Sequence, residues 1–330
     1  MAECILETEG LTKEFAGFVA VNGVNLRVER GCVHALIGPN GAGKTTCFNL
    51  LTKFLQPTRG RILYKGNDIT AMAPADVARL GMVRSFQISA VFPHLTVLEN
   101  VRIALQRERG GSFDFWRSKR VLNRYNERAL SLIADVGLSD FVNIAAGELP
   151  YGRKRALEIA TTLALDPEML LLDEPTAGMG HEDIERIAAL IKRVAADRTV
   201  LMVEHNLSVV ENLCQRITVL TRGKVLAEGD YSTVSRNPEV VTAWRDGNLT
   251  FKFVNEPLAD VVEYLNRYST RRVEISDRTL GRRTFTGTVH HDRGNDWLLA
   301  LEQAYPLRVV PQGDHTVRLV PKDNAVAGSR

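Results

Sequence analysis

Apolar residues alternate with polar ones in some segments of the chain and recur every three to four residues in others. Alternation predicts short strands over residues 4–9 and 24–30. A mostly helical stretch is predicted between about residues 72 and 165. Longer apolar runs predict further strands at "CVHALI", "EMLLLDEP", "RTVLMVEH" and "RITVLTRGKVLAEG". Because strands alternate with helices, the pattern predicts an α/β domain with a largely parallel sheet.

The pattern starts again at "GNLTFKFVNEPLADVV", residues 247–262, where a strand leads into an amphipathic helix. Two helices among five short strands predict a small α+β domain with the order βαββαββ. We expect a first domain over 1–246, the small domain over 249–322 and a frayed tail over 323–330. The predicted elements of the small domain are strands at 250–254, 272–276 and 283–290, helices at 257–269 and 295–305, and two strands around Arg308 and Arg318.

Composition and charge exclude several classes of protein. The 330 residues are 45% hydrophobic and 25% charged, with a net charge of +3, which is ordinary for a globular protein and gives no general attraction to nucleic acid. The four cysteines have no metal-ligand spacing, and the apolar runs are shorter than the ~20 residues of a membrane span. We therefore expect a cytosolic chain without a secretory leader, whose membrane spans, if it needs any, belong to other subunits.

A glycine-rich segment follows the first apolar run and fits G-x-x-x-x-G-K-[ST] at every fixed position. In such a P-loop the backbone N–H groups surround phosphate oxygens, the lysine reaches the β- and γ-phosphates, and the hydroxyl binds Mg²⁺. The alternative is a glycine-rich turn that matches by chance. The phosphate-binding candidates are Gly38, Pro39, Asn40, Gly41, Ala42, Gly43, Lys44, Thr45 and Thr46.

Charged and polar side chains follow two further predicted strands. Asp173 and Glu174 end "MLLLDE", where Asp173 would hold Mg²⁺ and Glu174 would polarise the attacking water, although an acidic pair can also mark a solvated turn. His205 ends "TVLMVEH" and could contact the γ-phosphate. Gln87 could ligate Mg²⁺ or the water, and it opens an apolar segment that includes Phe92. A structural histidine and a surface amide are the simpler interpretations of these last two.

Taken in order, "GPNGAGKTT", Gln87, "ELPYGRKRALEIA", "LLLDEPTAG" and "VEH" resemble the nucleotide-binding subunits of ABC transporters over about residues 4–245. "FPHLTVLENVRIAL" and "NPEVVTAW" are similar to the group that serves branched-chain amino acid importers. The resemblance implies a P-loop NTPase fold, ATP and Mg²⁺ as ligands, Phe15 stacked on the adenine ring, Glu174 as general base and His205 as switch. It also implies catalytic participation of Lys44 and a Mg²⁺ site made by Thr45, Gln87 and Asp173.

A signature loop is implied to complete the site of a second copy, with the helix N-terminus against its γ-phosphate. The residues that match this loop are Leu149, Pro150, Tyr151, Gly152 and Arg153. Pro150 stands where the family pattern has a serine, so a hydroxyl that could donate to the γ-phosphate is lost. The closure of two ATP-binding domains around ATP is therefore expected to be weaker. Pro150 suits the first turn of the following helix. Gly180 stands where many relatives carry an aspartate, which puts communication between the two sites in doubt.

The small C-terminal domain has no catalytic constellation in its sequence. It resembles the domain that ends FecR-type sigma regulators and the short N-terminal domain of secretins and TonB-dependent receptors, which bind proteins. His290-His291-Asp292 is a poor metal site because adjacent strand residues point to opposite faces. Arg271, Arg272, Arg282 and Arg283 predict a solvated basic face. A natural gene fusion and an engineered or mis-joined chain both stay open.

Two functions follow from these patterns. In the first, the chain is the ATPase of an importer for branched-chain amino acids or related small polar solutes, peripheral on the inner face of a bacterial inner membrane. Its partners would be a second ATP-binding subunit, identical or paralogous, and permease subunits, with a possible protein partner for the C-terminal domain and no nucleic acid. In the second, the chain is a soluble regulatory ATPase whose C-terminal module recruits a signalling protein.

Overall fold

The chain forms two compact units in a computed structural model that describes residues 3–85, 91–106, 123–246, 250–266, 272–290, 294–313 and 316–322. The N-terminal unit covers Met1–Ser235 and the C-terminal unit covers Arg236–Arg330. The boundary expected at residue 246 lies at the end of a helix that the structure groups with the C-terminal unit. No helix among the described residues has both the length and the apolar composition that a membrane crossing requires.

The N-terminal unit alternates strands with helices. Its strands are β1 (Cys4–Phe15), β2 (Phe18–Val24), β3 (Arg27–Glu29), β4 (Val33–Ile37), β5 (Arg59–Tyr64), β6 (Asn67–Asp68), β7 (Met82–Ser85), β8 (Met169–Asp173), β9 (Thr199–Val203), β10 (Arg216–Thr221) and β11 (Lys224–Gly229). Its helices are α1 (Lys44–Leu51), α2 (Pro74–Arg79), α3 (Val97–Leu105), α4 (Asn126–Asp135), α5 (Tyr151–Leu163), α6 (His181–Val194), α7 (Leu207–Leu213) and α8 (Tyr231–Arg236), and short 3-10 turns cover Ser139–Phe141 and Ala146–Glu148.

A six-stranded sheet in the order β11-β10-β4-β9-β8-β7 forms the centre of this unit. Five of its strands, from β10 to β7 in that order, run parallel, and β11 is an antiparallel edge. Every residue of β4, β8 and β9 is buried, as expected for parallel strands covered on both faces. The predicted parallel sheet is confirmed. The predicted helical stretch contains α2 to α5, and it also contains the edge strand β7.

Two hairpins depart from the strands predicted for this unit. The strand predicted over 24–30 contains β3, but β2 was not predicted: β1 turns back into β2 through Ala16–Gly17. Likewise "RITVLTRGKVLAEG" folds as β10 and β11 around Arg222–Gly223. In each turn both residues have positive φ, 45° and 89° in the first and 48° and 77° in the second. Such turns favour Asn-Gly or Asp-Gly. Because alanine and arginine occupy the first position here, the sequence did not indicate the two hairpin turns.

The C-terminal unit has its own hydrophobic core. Its elements are α9 (Pro238–Asp246), β12 (Thr250–Pro257), α10 (Leu258–Asn266), β13 (Arg272–Ile275), α11 (Arg278–Gly281), β14 (Thr284–His290), α12 (Gly294–Ala304), β15 (Leu307–Pro311) and β16 (Thr316–Pro321). β12 pairs with β14, and a second sheet has the order β13-β16-β15. Val261, Leu301 and Leu319 are almost fully buried, and Phe285 meets Trp297 edge to face at 6.1 Å. Strands and helices occupy the expected positions, with α11 as an additional short helix.

Candidate active site

The glycine-rich loop between β4 and α1 has positions that leave no room for a side chain. A Cβ atom at Gly38 would stand 2.1 Å from the carbonyl oxygen of Leu220, and one at Gly43 would stand 2.5 Å from that of Ala20. Gly41 needs no such room but has φ of 76°, in the left-handed region that favours glycine. The loop is therefore clamped between the end of β10 and strand β2, with its backbone held in one shape.

Helix α1 begins at Lys44 directly after the loop, and Gly43 provides no side-chain cap for its N–H groups. No acidic residue lies in its first turn. Phe48 and Leu51 are fully buried, which anchors the helix in the core and fixes its N-terminus at the loop. Unsatisfied N–H groups and the helix dipole make this end an anion site.

Lys44 lies over the loop with 6% of its surface exposed. Its Nζ donates to the carbonyl oxygens of Gly38, at 2.7 Å, and Pro39, at 2.9 Å. Burial lowers the pKa of Lys44 to about 8, and the nearby carboxylates of Glu174 and Asp173 partly offset that effect. A phosphate group that replaced the two carbonyl oxygens would favour the charged form of the amine.

The acidic pair lies at the carboxyl end of β8. Asp173 is 1% exposed, and Glu174 follows in a turn with φ of 45°, where its N–H donates to the carbonyl oxygen of Val203 at 2.9 Å. His205, at the end of the neighbouring strand β9, has its Nε2 3.1 Å from Oε1 of Glu174. The structure therefore brings together Glu174 and His205, two residues that the sequence placed on separate strands.

Glu204 is part of this site and was missed in the sequence. It is 3% exposed, and burial raises the pKa of its carboxyl. One carboxylate oxygen accepts hydrogen bonds from the hydroxyl and, at 3.2 Å, the N–H of Thr176, and the other accepts from the N–H of His205 at 2.7 Å. Glu204 thus ties the turn after β8 to the turn after β9. An acidic residue directly after an apolar strand was the available signal for Glu204, as it was for Asp173.

Two arginines hold Asp173, and both were also missed. Arg84 of β7 forms an ion pair with Oδ2 of Asp173, and Nη2 of Arg155 in α5 donates to the carbonyl oxygen of Asp173 at 2.8 Å. Arg155 also pairs with Glu158 at 2.7 Å, and all four side chains are largely buried. A charged residue inside an apolar run, as in "GMVRSF" and "RALEIA", was the available signal.

The groups around Asp173 fit a magnesium ion. Mg²⁺ prefers oxygen ligands and usually combines one or two carboxylates with phosphate oxygens and water. Asp173 offers Oδ1, to which no described residue donates, and Thr45 carries an exposed hydroxyl in the first turn of α1. Gln87 lies outside the described residues. Among the residues that the structure describes, no group of three or more histidine, cysteine, aspartate or glutamate side chains is placed to hold a metal ion.

The signature loop precedes α5. Pro150 is the N-cap residue, and α5 begins directly after it at Tyr151. Leu149 is buried and Tyr151 is exposed. A Cβ atom at Gly152 would stand 2.5 Å from Cγ of Asp183 in α6, so Gly152 allows the two helices to approach closely.

The other predicted positions lie at the surface. Phe15, at the tip of the β1–β2 hairpin, is 42% exposed, and Nζ of Lys13 lies 5.1 Å from the centre of its ring. Gly180 is the N-cap residue of α6 and provides no side-chain cap. In the C-terminal unit, Arg282 and Arg283 are exposed and Arg272 lies 4.0 Å from Glu274, whereas Arg271, His291 and Asp292 lie outside the described residues.

Comparison with known proteins places this geometry in a family. The ABC transporter family model matches residues 21–177. The high-affinity branched-chain amino acid transport ATP-binding protein BraF of Pseudomonas aeruginosa is 40% identical over 254 residues, which covers 74% of this chain and 98% of BraF. The ADP conformation of MJ1267, an ATP-binding cassette of an ABC transporter, has 31% identity and a TM-score of 0.65 and covers 74% of this chain and 99% of its own.

A dimeric post-hydrolysis structure of the cassette MJ0796, bound to ADP and phosphate, has 26% identity and a TM-score of 0.58, and covers 68% of this chain and 98% of its own. All three likenesses span most of the matched protein. About a quarter of this chain lies outside the matches to BraF and MJ1267, and about a third lies outside the match to MJ0796. The chain therefore belongs to the ATP-binding proteins of ABC transporters, and its activity is ATP hydrolysis.

Proposed function

We propose that this chain is the ATP-hydrolysing subunit of an importer for branched-chain amino acids or related small polar solutes. The observation that carries the proposal is the convergence of Lys44, Glu174 and His205 at one edge of the central sheet, beside a loop shaped by glycines. The substrate class rests on the 40% identity to BraF. No residue of this chain would contact the solute.

The residues divide the chemistry among them. N–H groups of the P-loop and the Lys44 amine bind the phosphates, and the exposed ring of Phe15 stacks on adenine. Glu174 accepts the proton of the water that attacks the γ-phosphate, and His205 holds the Glu174 carboxylate through the 3.1 Å contact. Glu204 fixes both turns and so sets the distance between them.

Thr45 and Asp173, with Gln87, would hold Mg²⁺, which supplies positive charge to the β- and γ-phosphate oxygens. A second ATP-binding subunit completes each site by placing the N-terminus of its α5 against the γ-phosphate. Pro150 weakens this closure because it offers neither hydroxyl nor N–H. Closure on ATP and release after hydrolysis then drive the transporter.

An apolar groove of about 300 Å³ in the N-terminal unit suits a segment of a membrane subunit. Its walls include Phe54, which is 53% exposed, Val77 of α2 and Leu165 after α5. Phe92, in the apolar segment that follows Gln87, is also 53% exposed. A large apolar surface of this kind stays exposed at a cost unless a partner covers it. We assign the permease subunits as that partner, which locates the chain on the cytoplasmic face of the inner membrane.

The C-terminal unit acts in this proposal as a protein-binding module in the same compartment as the ATPase. Its resemblance to the FecR-type and secretin-type domains supports that role. Its basic residues occur at an exposed surface that also carries Glu274, and Arg318 pairs with this acid at 3.0 Å. A mixed surface of this kind gives no reason to expect nucleic acid.

Two experiments test the proposal. Purification of the tagged chain from membranes should recover multi-span permease subunits, and membrane vesicles made with these subunits should take up leucine only with ATP inside. Recovery of soluble signalling proteins without permeases would contradict the transport function and support the regulatory alternative. Glu174→Gln should bind MgATP and accumulate as an ATP-bound dimer without turnover, and unchanged hydrolysis would refute Glu174 as the base.

A further inference from the structure

Arg84 is a charged residue whose side chain is largely buried. It lies on edge strand β7 with 10% of its side chain exposed. Nη1 donates to Oδ1 of Asn49 in α1 at 2.6 Å, the guanidinium lies 5.7 Å from the centre of the Phe48 ring, and Nη2 pairs with Asp173. One side chain therefore connects the helix that carries the P-loop lysine to the aspartate at the end of β8.

The ion pair removes one oxygen of Asp173 from other partners. Only 2% of the Asp173 side chain is exposed, so loss of the arginine would leave a buried carboxylate without its charged partner, which is unfavourable unless another cation takes its place. Arg155 donates to the backbone carbonyl oxygen of Asp173 and not to its carboxylate. A metal ion at this carboxylate would sit next to a fixed positive charge, which opposes its binding.

We propose that Arg84 is a positioning residue that competes with Mg²⁺ for the Asp173 carboxylate, holding it in place before MgATP binds and yielding it when MgATP arrives. This inference rests on the proposed nucleotide site. It assigns Arg84 a regulatory role, because the strength of the arginine contact sets how strongly nucleotide binding depends on Mg²⁺. A purely structural arginine would affect folding alone.

The test measures ADP affinity by calorimetry, with Mg²⁺ and with EDTA, for the full chain and its variants. The affinity with Mg²⁺ divided by the affinity with EDTA reports the contribution of Mg²⁺ to binding, and no hydrolysis is involved. In Arg84→Met the competing charge is absent, so this ratio should rise on the order of tenfold. Arg84→Lys keeps the charge and should return the ratio towards that of the wild type.

Arg198→Met is the matched control, since Arg198 is also mostly buried but pairs with Asp197 and Asp166. Its ratio should equal that of the wild type. Asn49→Ala removes the side-chain amide that accepts a hydrogen bond from Arg84 and should raise the ratio by a smaller factor. This variant keeps the test available if Arg84→Met does not fold.

The outcomes separate the two proposals. If the wild type binds ADP and the ratio is the same in Arg84→Met, or in Asn49→Ala where Arg84→Met does not fold, the role of Arg84 is overturned. An equal rise in Arg198→Met would overturn it as well. If the wild type binds no ADP under either condition, the nucleotide site itself fails, and with it the proposed function.

Discussion

The two units of this chain differ in what they bury. The N-terminal unit buries Lys44, Lys53, Arg155, Glu158, Asp173 and Glu204, whereas the described residues of the C-terminal unit bury no charged side chain. Burial of a charge costs free energy that pairing only partly recovers, so a fold keeps such groups where chemistry requires them. Apart from Lys53, these side chains belong to the candidate active site or pair with a residue that contacts it. The core of the second unit is formed by apolar side chains such as Val261, Leu301 and Leu319.

Glu204→Gln should produce the largest change among the variants that test this contrast. An amide cannot accept all the hydrogen bonds that Glu204 receives from Thr176 and His205. Displacement of the two turns should lower the rate of ATP hydrolysis on the order of 100-fold, with a smaller effect on nucleotide affinity. Glu182→Gln, at an exposed carboxylate on α6, is the control in a steady-state phosphate-release assay. Equal rates in both variants would remove Glu204 from the site.

Pro150→Ser should strengthen ATP-driven association of two copies. A serine at the N-cap of α5 restores a hydroxyl for the phosphate of the second copy. A hydrogen bond to a charged group is worth about 1.5–3 kcal/mol, so the dimer dissociation constant should fall at least about tenfold. Analytical ultracentrifugation in the Glu174→Gln background measures the constant without hydrolysis. Association no tighter than with proline would show that the loop does not face the nucleotide.

Nucleotide affinity should depend on pH through Lys44. Because the pKa of the free lysine is lowered to about 8 and phosphate favours the charged amine, binding takes up a proton above that pH. ATP affinity should therefore fall about tenfold between pH 7.5 and 9, measured by calorimetry in EDTA. Lys44→Met should bind weakly and show no such slope. A flat profile in the wild type would contradict the low pKa.

Removal of the residues after Asp246, which leaves only α9 of the C-terminal unit in place, should have the smallest effect on ATP hydrolysis. A chain that ends at Asp246 keeps every buried charge named above and contains residues 21–177, which the ABC transporter family model matches. Its ATPase rate should stay within about twofold of the full chain, while any partner captured by the C-terminal unit should be lost in a pull-down. A large loss of ATPase activity would show that the second unit supports the first.

The sequence predicted the parallel sheet and the P-loop because both leave local signals, a continuous apolar strand and a fixed glycine spacing. It failed at the Ala16–Gly17 and Arg222–Gly223 turns, where an unusual first residue adopts positive φ because the paired strands impose it. Contacts between residues far apart in the chain could not be predicted from the sequence. Arg84 and Asp173 are 89 positions apart, and no local pattern near either residue indicates that they pair.

The most direct test of the central claim is Glu174→Gln made both in the full chain and in the chain that ends at Asp246, with MgATP hydrolysis measured side by side. If all of the chemistry resides in the N-terminal unit, both variants should lose hydrolysis by the same factor, on the order of 1,000-fold. Hydrolysis that persists in the full-length variant and disappears in the shortened one would place a catalytic group in the C-terminal unit and contradict the account.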